Sequence, residues 1–177
     1  MEELCYTALD LAAIISSMGL GCRAQAEFLD RVWEKERPFL QIDYRDDKRQ
    51  MLLDVSYWLT YLSDKPTIDD EFPIIQRDAK AKGRELEEAA YITDASGIDL
   101  FFKSARLRIL YGDGKPYVRV KRRTLMAKYG YKRLSPALVE YFHQCIYFYH
   151  LQPYVRNYEA CRIEDAGIDE MIILRVM

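Results

Sequence analysis

Two helical patterns joined by a short turn limit the folds open to this chain more than any other feature of its sequence. The segment RTLMAKYG predicts a short helix that Gly130 closes. Ser135-Pro136 then starts a second helix, because serine is a favoured N-cap and proline a favoured first helical residue. That second helix should extend to about His150. A short helix, a tight turn and a longer capped helix together predict a helix-turn-helix unit.

Alternating apolar and polar residues predict strands on both sides of this unit. The segments GIDLFF and ARLRILY precede a Gly-rich turn at 112–114, and PYVRVK follows it, which predicts a β-hairpin. Two more strands are predicted around residues 154–159 and 168–176. A helix-turn-helix flanked by β-hairpins is the layout of a winged helix. The first hairpin would have an apolar face and an opposite cationic face with Arg106, Arg108, Arg119 and Lys121.

The N-terminal part is predicted to be mostly helical. Apolar residues recur at three- and four-residue steps over 4–18, which predicts an amphipathic helix that Gly19 ends. Similar spacing predicts helices over 22–36 and 49–64. Between them, the alternation in PFLQIDY over 38–44 predicts a short strand.

These patterns predict the α+β class, with a helical N-terminal unit followed by a winged-helix-like unit with β-hairpins. We expect an acidic, mostly helical domain over 1–72 and a basic domain over 91–177. Residues 63–73 are rich in proline and charge and resemble a linker. A solvated helix over 73–90 would connect the two domains.

The charge of the chain is unevenly distributed. Its 26 Lys and Arg residues nearly balance 28 Asp and Glu residues, for a net charge of −2. Residues 103–133, however, contain eleven basic residues and one acid, so this segment carries +10 and the rest carries −12. Lysines and arginines held along one face are what phosphate binding requires, and aromatic rings between them can stack on bases. The predicted nucleic-acid contacts are Arg106, Arg108, Arg119, Lys121, Arg122, Arg123, Lys128, Tyr131, Lys132 and Arg133.

Residues 118–176 also resemble a small module of bacterial multidomain proteins. The resemblance is in VKRRTLMAKYGYKR, the capped helix after it, YHLQPYV and a closing I-x-x-x-I-I-L. The module has an R-x-L-(x)3-F/Y-G-x-x-R-R stretch before a helix and a G-L-x-x-x-P segment after it. This chain differs at Tyr131, which precedes Lys132, and at His150, where the module has glycine. The resemblance implies a helix-turn-helix layout.

The leading functional hypothesis is a non-enzymatic nucleic-acid-binding protein, a regulator or accessory factor of bacterial or phage type, for DNA or RNA. It requires no cofactor and no metal. The first alternative is a protein–protein adaptor, because residues 1–102 contain 21 acids against 12 bases and could pair with the basic segment or with an acidic protein partner. The second is a Mg²⁺-dependent nuclease, in which Asp94, Asp99 and Lys103 on or beside a strand would hold the metal and position water.

Three further features bear on the setting of the protein. No stretch of about 18 apolar residues is present, so no membrane span is expected. The cysteines, Cys5, Cys22, Cys145 and Cys161, are widely spaced, which favours reduced thiols in a cytoplasmic protein. The helix over 135–150 is apolar on more than one side, so we expect a homodimer or larger assembly.

Overall fold

The computed structural model describes four stretches of the chain, residues 4–63, 97–112, 114–156 and 159–177. The chain divides into two compact units, Met1–Thr93 and Asp94–Met177. Helices and one small antiparallel sheet make up the described residues, which confirms the α+β class. The predicted linker beyond residue 63, the connecting helix over 73–90 and Asp94 lie outside the described residues. No helix among those described is long and apolar enough to cross a membrane.

The described part of the first unit is helical, as predicted. Its α-helices are α1 (Ala8–Met18), α2 (Cys22–Lys35), α3 (Ile42–Asp46) and α4 (Lys48–Ser63). Thr7 caps α1 in a capping box, because its hydroxyl accepts from the Asp10 N–H while the Asp10 carboxylate accepts from the Thr7 N–H. Gly19 ends α1 with φ +64°, a left-handed conformation that glycine adopts without strain.

The strand predicted over 38–44 is wrong. A 3-10 helix, Arg37–Phe39, occupies the start of this segment, and α3 begins at Ile42. Strand-like pairing is limited to one isolated bridge between Tyr6 and Leu40. Leu40 and Tyr44 are buried whereas 66% of the Ile42 surface is exposed, which fits one helical turn, because a strand would place all three side chains on the same face.

Helix α1 lies in the core of the first unit. Every residue from Ala8 to Ile15 is buried, and the helix packs against α4. Helix α4 contributes to this core a buried apolar stripe, whose residues recur every three or four positions: Met51, Val55, Trp58 and Leu62. A helix that is apolar nearly all round belongs in a core, so α1 is the element around which this unit is built.

The second unit combines helices with a three-stranded sheet. Its elements are α5 (Ile98–Tyr111), β1 (Val118–Lys121), α6 (Arg122–Lys128), α7 (Pro136–Phe148), β2 (Leu151–Tyr154) and β3 (Met171–Val176). The sheet is antiparallel in the order β1-β3-β2, with Val120 opposite Ile172 and Pro153 opposite Leu174. Proline has no N–H to donate, and Pro153 is tolerated in β2 because an edge strand has a neighbouring strand on one side only. The predicted strand at 168–176 is confirmed as β3, whereas the one around 154–159 lies earlier, as β2.

The hairpin predicted across 98–121 is wrong in its first half. Residues 98–111 form α5, and β1 pairs with β3 instead. Ile98, Phe102 and Ala105 are buried at four- and three-residue steps, as in a helix. The alternation around Arg106 predicted a strand only on the assumption that every charged side chain faces water. Arg106 is buried in α5, so the assumption fails there.

Candidate nucleic-acid interface

The two helices predicted on either side of the Gly130 turn are present as α6 and α7. Gly130 follows α6 with φ +78°, and the Tyr131 N–H donates to the Met126 carbonyl oxygen at 2.9 Å. Ser135 caps α7, since its hydroxyl accepts from the Leu138 N–H at 3.2 Å, and Pro136 is the first helical residue. These local contacts fix the turn between the two helices, which is where Lys132 and Arg133 lie.

Five of the basic residues of the 103–133 segment, Arg122 among them, lie partly or fully inside the unit. Lys103 and Arg106 on α5 are buried, with 4% and 7% of their surface exposed, and Arg108 and Lys128 are half-buried. Arg106 Nη1 donates to the Tyr149 carbonyl oxygen at 2.9 Å. The structure therefore does not place Arg106 and Arg108 on an exposed strand face beside β1.

Two further predicted contacts connect α6 to the long β2–β3 connection. Arg122 Nη1 donates to the Glu164 carbonyl oxygen at 2.8 Å. Arg123 forms two parallel bonds of 2.8 Å with the Asp169 carboxylate, the bidentate geometry that suits a guanidinium. Both side chains thus have structural partners, although Arg123 and Asp169 remain well exposed.

The exposed cations lie at the two ends of α6. Arg119 and Lys121 are exposed on β1, just before the helix, and Lys132 and Arg133 are exposed in the turn after it. An α-helix rises 1.5 Å per residue, so the seven-residue α6 separates the two groups by roughly 10 Å. None of these four side chains forms an ion pair with an acid in the described residues. Tyr131, the predicted aromatic contact, is half-buried beside them.

Helix α7, which follows the turn after α6, contains no Lys or Arg. Its exposed residues include Glu140 and Tyr147, and 82% of the Tyr147 surface is exposed. The His143 ring bonds the Glu164 carboxylate at 2.9 Å.

The His143–Glu164 contact affects the ionisation of Glu164. Partial burial alone would raise the pKa of this carboxyl. Hydrogen bonds from the Glu164 backbone and from His143, together with the charges of His143 and Arg162, lower its pKa below the ordinary value. Glu164 is therefore held as a carboxylate beside α7.

Asp99 and Lys103, the two described residues of the nuclease alternative, do not form an exposed catalytic face. Asp99 and Lys103 lie one turn apart on α5, not on a strand, and their side chains form a 2.8 Å ion pair that is almost entirely buried. Burial, with the Asp99 charge as the second cause, also raises the pKa of Tyr129 and of Cys145. Cys145 is itself fully buried within α7. No group of His, Cys, Asp or Glu suited to a metal occurs within the described ranges.

Arg156 lies beside this surface and is not among the contacts predicted from the sequence. Arg156 follows β2 and lines a groove of about 660 Å³ together with Arg119, Met171 and Ile173. It lies well outside the basic segment, and its neighbours in sequence carry no charge pattern that points to it. Only the pairing of β2 and β1 on either side of β3 indicates that Arg156 and Arg119 can share a surface.

Comparisons with known proteins return no relative. No protein-family model, curated protein sequence or solved structure matches this chain.

Proposed function

We propose that the second unit is a winged-helix-like module that binds nucleic acid through phosphate contacts. The order helix, strand, helix, helix, strand, strand, with β1 paired to β3, supports this class of fold. The observation that carries the proposal is the set of exposed cations before and after α6. They have no acidic partner in the described residues, and phosphates are the ligands that such cations suit.

The proposed contacts are fewer than the basic segment suggests. Arg119, Lys121, Lys132 and Arg133 would contact phosphates, whereas Arg122 and Arg123 hold the β2–β3 connection. Because α7 has no Lys or Arg, the phosphate contacts outweigh any reading of base edges. Binding should therefore depend steeply on salt and weakly on sequence.

The test is a titration of the full chain against labelled duplex DNA, single-stranded DNA and RNA across a range of salt concentrations. The double variant Lys132→Ala, Arg133→Ala should weaken binding to every sequence. It should also flatten the slope of log affinity against log salt by about 1.4 on a single strand or about 1.8 on a duplex, which corresponds to two phosphates.

The matched control removes the same charge elsewhere. Arg23→Ala with Arg31→Ala deletes two exposed arginines of α2, in the first unit. The salt slope of this control should equal that of the unmodified chain. An equal loss in the control and test variants, or no binding to any polymer at low salt, would overturn the proposal. Salt-sensitive self-association without nucleic-acid binding would instead indicate an assembly role for the cations.

A further inference from the structure

We infer that the polymer is single-stranded, and that it lies across the outer face of the second unit's sheet between Arg119 and Arg156. This inference rests on the proposed function and names the class of nucleic acid that the site takes. Three observations support it, namely a groove at that face, the charges around this groove and the apolar residues at the groove's floor.

The outer face of the sheet is defined by the alternation along β1. Arg119 and Lys121 are exposed, while Val118 and Val120 between them point to the other side and are less exposed. Arg119 pairs with Ile173 of β3, and Lys121 pairs with Met171. Directly opposite residues on adjacent strands have side chains on the same face, so each cation lies beside an apolar side chain.

The groove on this face has Arg119 on one side and Arg156, just after β2, among its other lining residues. Its acids are Asp169 and Glu170. Asp169 is neutralised by its two bonds to Arg123, and the Glu170 carboxylate accepts from the Gly167 N–H at 2.9 Å.

Arg119 and Arg156 form no ion pair with an acid of the described chain. With Lys121 beside the groove and Asp169 already paired, the cations exceed the acids that remain. An anionic ligand would therefore complete the charge balance of the groove.

Arg119 is held in place before any ligand arrives. Its guanidinium carbon lies 4.7 Å from the centroid of the Tyr117 ring, within the range of a cation–π contact. This contact limits the rotamers of a long side chain and leaves its N–H groups available. A pre-positioned arginine loses less conformational entropy when it binds a phosphate.

The floor of the groove favours unpaired bases over a duplex. Met171 and Ile173 form this floor, and most of its accessible apolar surface belongs to Met171, which is 38% exposed against 6% for Ile173. The flat face of an unpaired base can pack against apolar side chains, whereas the faces of paired bases are covered by their neighbours in the stack. A single-strand site combines a cationic groove with side chains on which bases stack, most often aromatic rings, and the Tyr117 ring lies against Arg119 here. Helix α7 lacks the cations that would favour a duplex.

The experiment measures fluorescence anisotropy of the full chain with a labelled 12-nucleotide single-stranded RNA, the same sequence as single-stranded DNA, and its duplex. We expect a single strand to bind at least about tenfold more tightly than the duplex. Arg156→Ala should weaken single-strand binding about three- to tenfold and flatten its salt slope by about 0.7, the value for one phosphate contact. Arg156→Lys should retain most of that slope.

Arg162→Ala is the matched control, because Arg162 is another exposed arginine of the same β2–β3 connection but lines a different groove. It should leave the affinity and the salt slope unchanged. Far-UV circular dichroism and the melting temperature should be the same for all variants, since both arginines are exposed.

The failure of this inference and the failure of the proposed function give different results. Duplex binding as tight as single-strand binding, or an unchanged salt slope in Arg156→Ala, would overturn the inference and leave the proposed function in place. No binding of any polymer at low salt would overturn both.

Discussion

Arg106 of α5 donates a hydrogen bond of 2.9 Å to the backbone carbonyl oxygen of Tyr149, just beyond the end of α7. Both residues are buried, so this charged donor satisfies a helix-end carbonyl that water does not reach. Arg106→Met should therefore lower the free energy of unfolding by about 2 kcal/mol, within the usual cost of losing a bond to a charged group. Urea denaturation followed by circular dichroism measures this.

The control for Arg106 is Lys115→Met, since Lys115 is an exposed cation of the same basic segment. Its effect on unfolding should stay within about 0.5 kcal/mol, as for most surface substitutions. If the two variants were equally stable, the Arg106–Tyr149 bond would not be the stabilising contact that its burial indicates.

Because Asp99 and Lys103 form a buried ion pair, the effects of substituting each of them on the free energy of unfolding should be strongly non-additive. Lys103→Met should destabilise the second unit by about 3–5 kcal/mol, because it leaves the Asp99 carboxylate buried without its partner. The double variant Asp99→Leu, Lys103→Met should recover most of that loss, since it removes both buried charges. A double-mutant cycle by chemical denaturation would contradict this if the double variant were as unstable as the sum of the single ones.

The low pKa of Glu164 predicts a loss of stability in acid. A carboxyl whose pKa is lowered by folding stabilises the protein above its unfolded value of 4.5, and this contribution disappears as the pH falls through the folded value. His143→Leu should bring the pKa of Glu164 closer to 4.5, because leucine offers the carboxylate neither a hydrogen bond nor a charge. A carbon-detected NMR titration of the side-chain carboxyl measures the shift directly, and an unchanged midpoint would rule out His143 as a cause.

The four cysteines should differ in their rate of alkylation. Cys22 is exposed, Cys161 is half-buried, and Cys5 and Cys145 are buried. Burial, followed by the charges of nearby acids, raises the pKa of Cys161 and so lowers its thiolate fraction. Timed iodoacetamide labelling with peptide mass spectrometry should find Cys22 modified first, Cys161 more slowly, and the buried pair only after unfolding. Fast labelling of Cys145 in the native chain would contradict its burial.

Residues that begin and end helices made much of the second unit predictable. Gly130, Ser135 and Pro136 act through their own backbone and near neighbours, so the ends of α6 and α7 could be placed from the sequence alone. The structure of α5 could not, because its alternation predicts a strand only if Arg106 faces water. Whether a charged side chain is buried depends on partners distant in sequence, here Tyr149, and no pattern within α5 contains that information.

The position of the candidate site in the chain could be predicted from the sequence, but the partners of its cations could not. The basic segment lies within this unit, but composition does not distinguish a cation bonded to protein from one that is exposed. Arg122 and Arg123 bind groups more than 40 positions away. Arg156 is brought beside β1 only by the strand order β1-β3-β2.

The burial of α1 also has a consequence for synthesis of the chain. Its apolar surface needs α4 as a cover, and α4 ends 45 residues after α1. At about 5–20 residues per second, a ribosome takes roughly 2–9 s to add those residues. During that interval α1 is an uncovered apolar segment on the nascent chain, and a chaperone that holds such segments would find its target there.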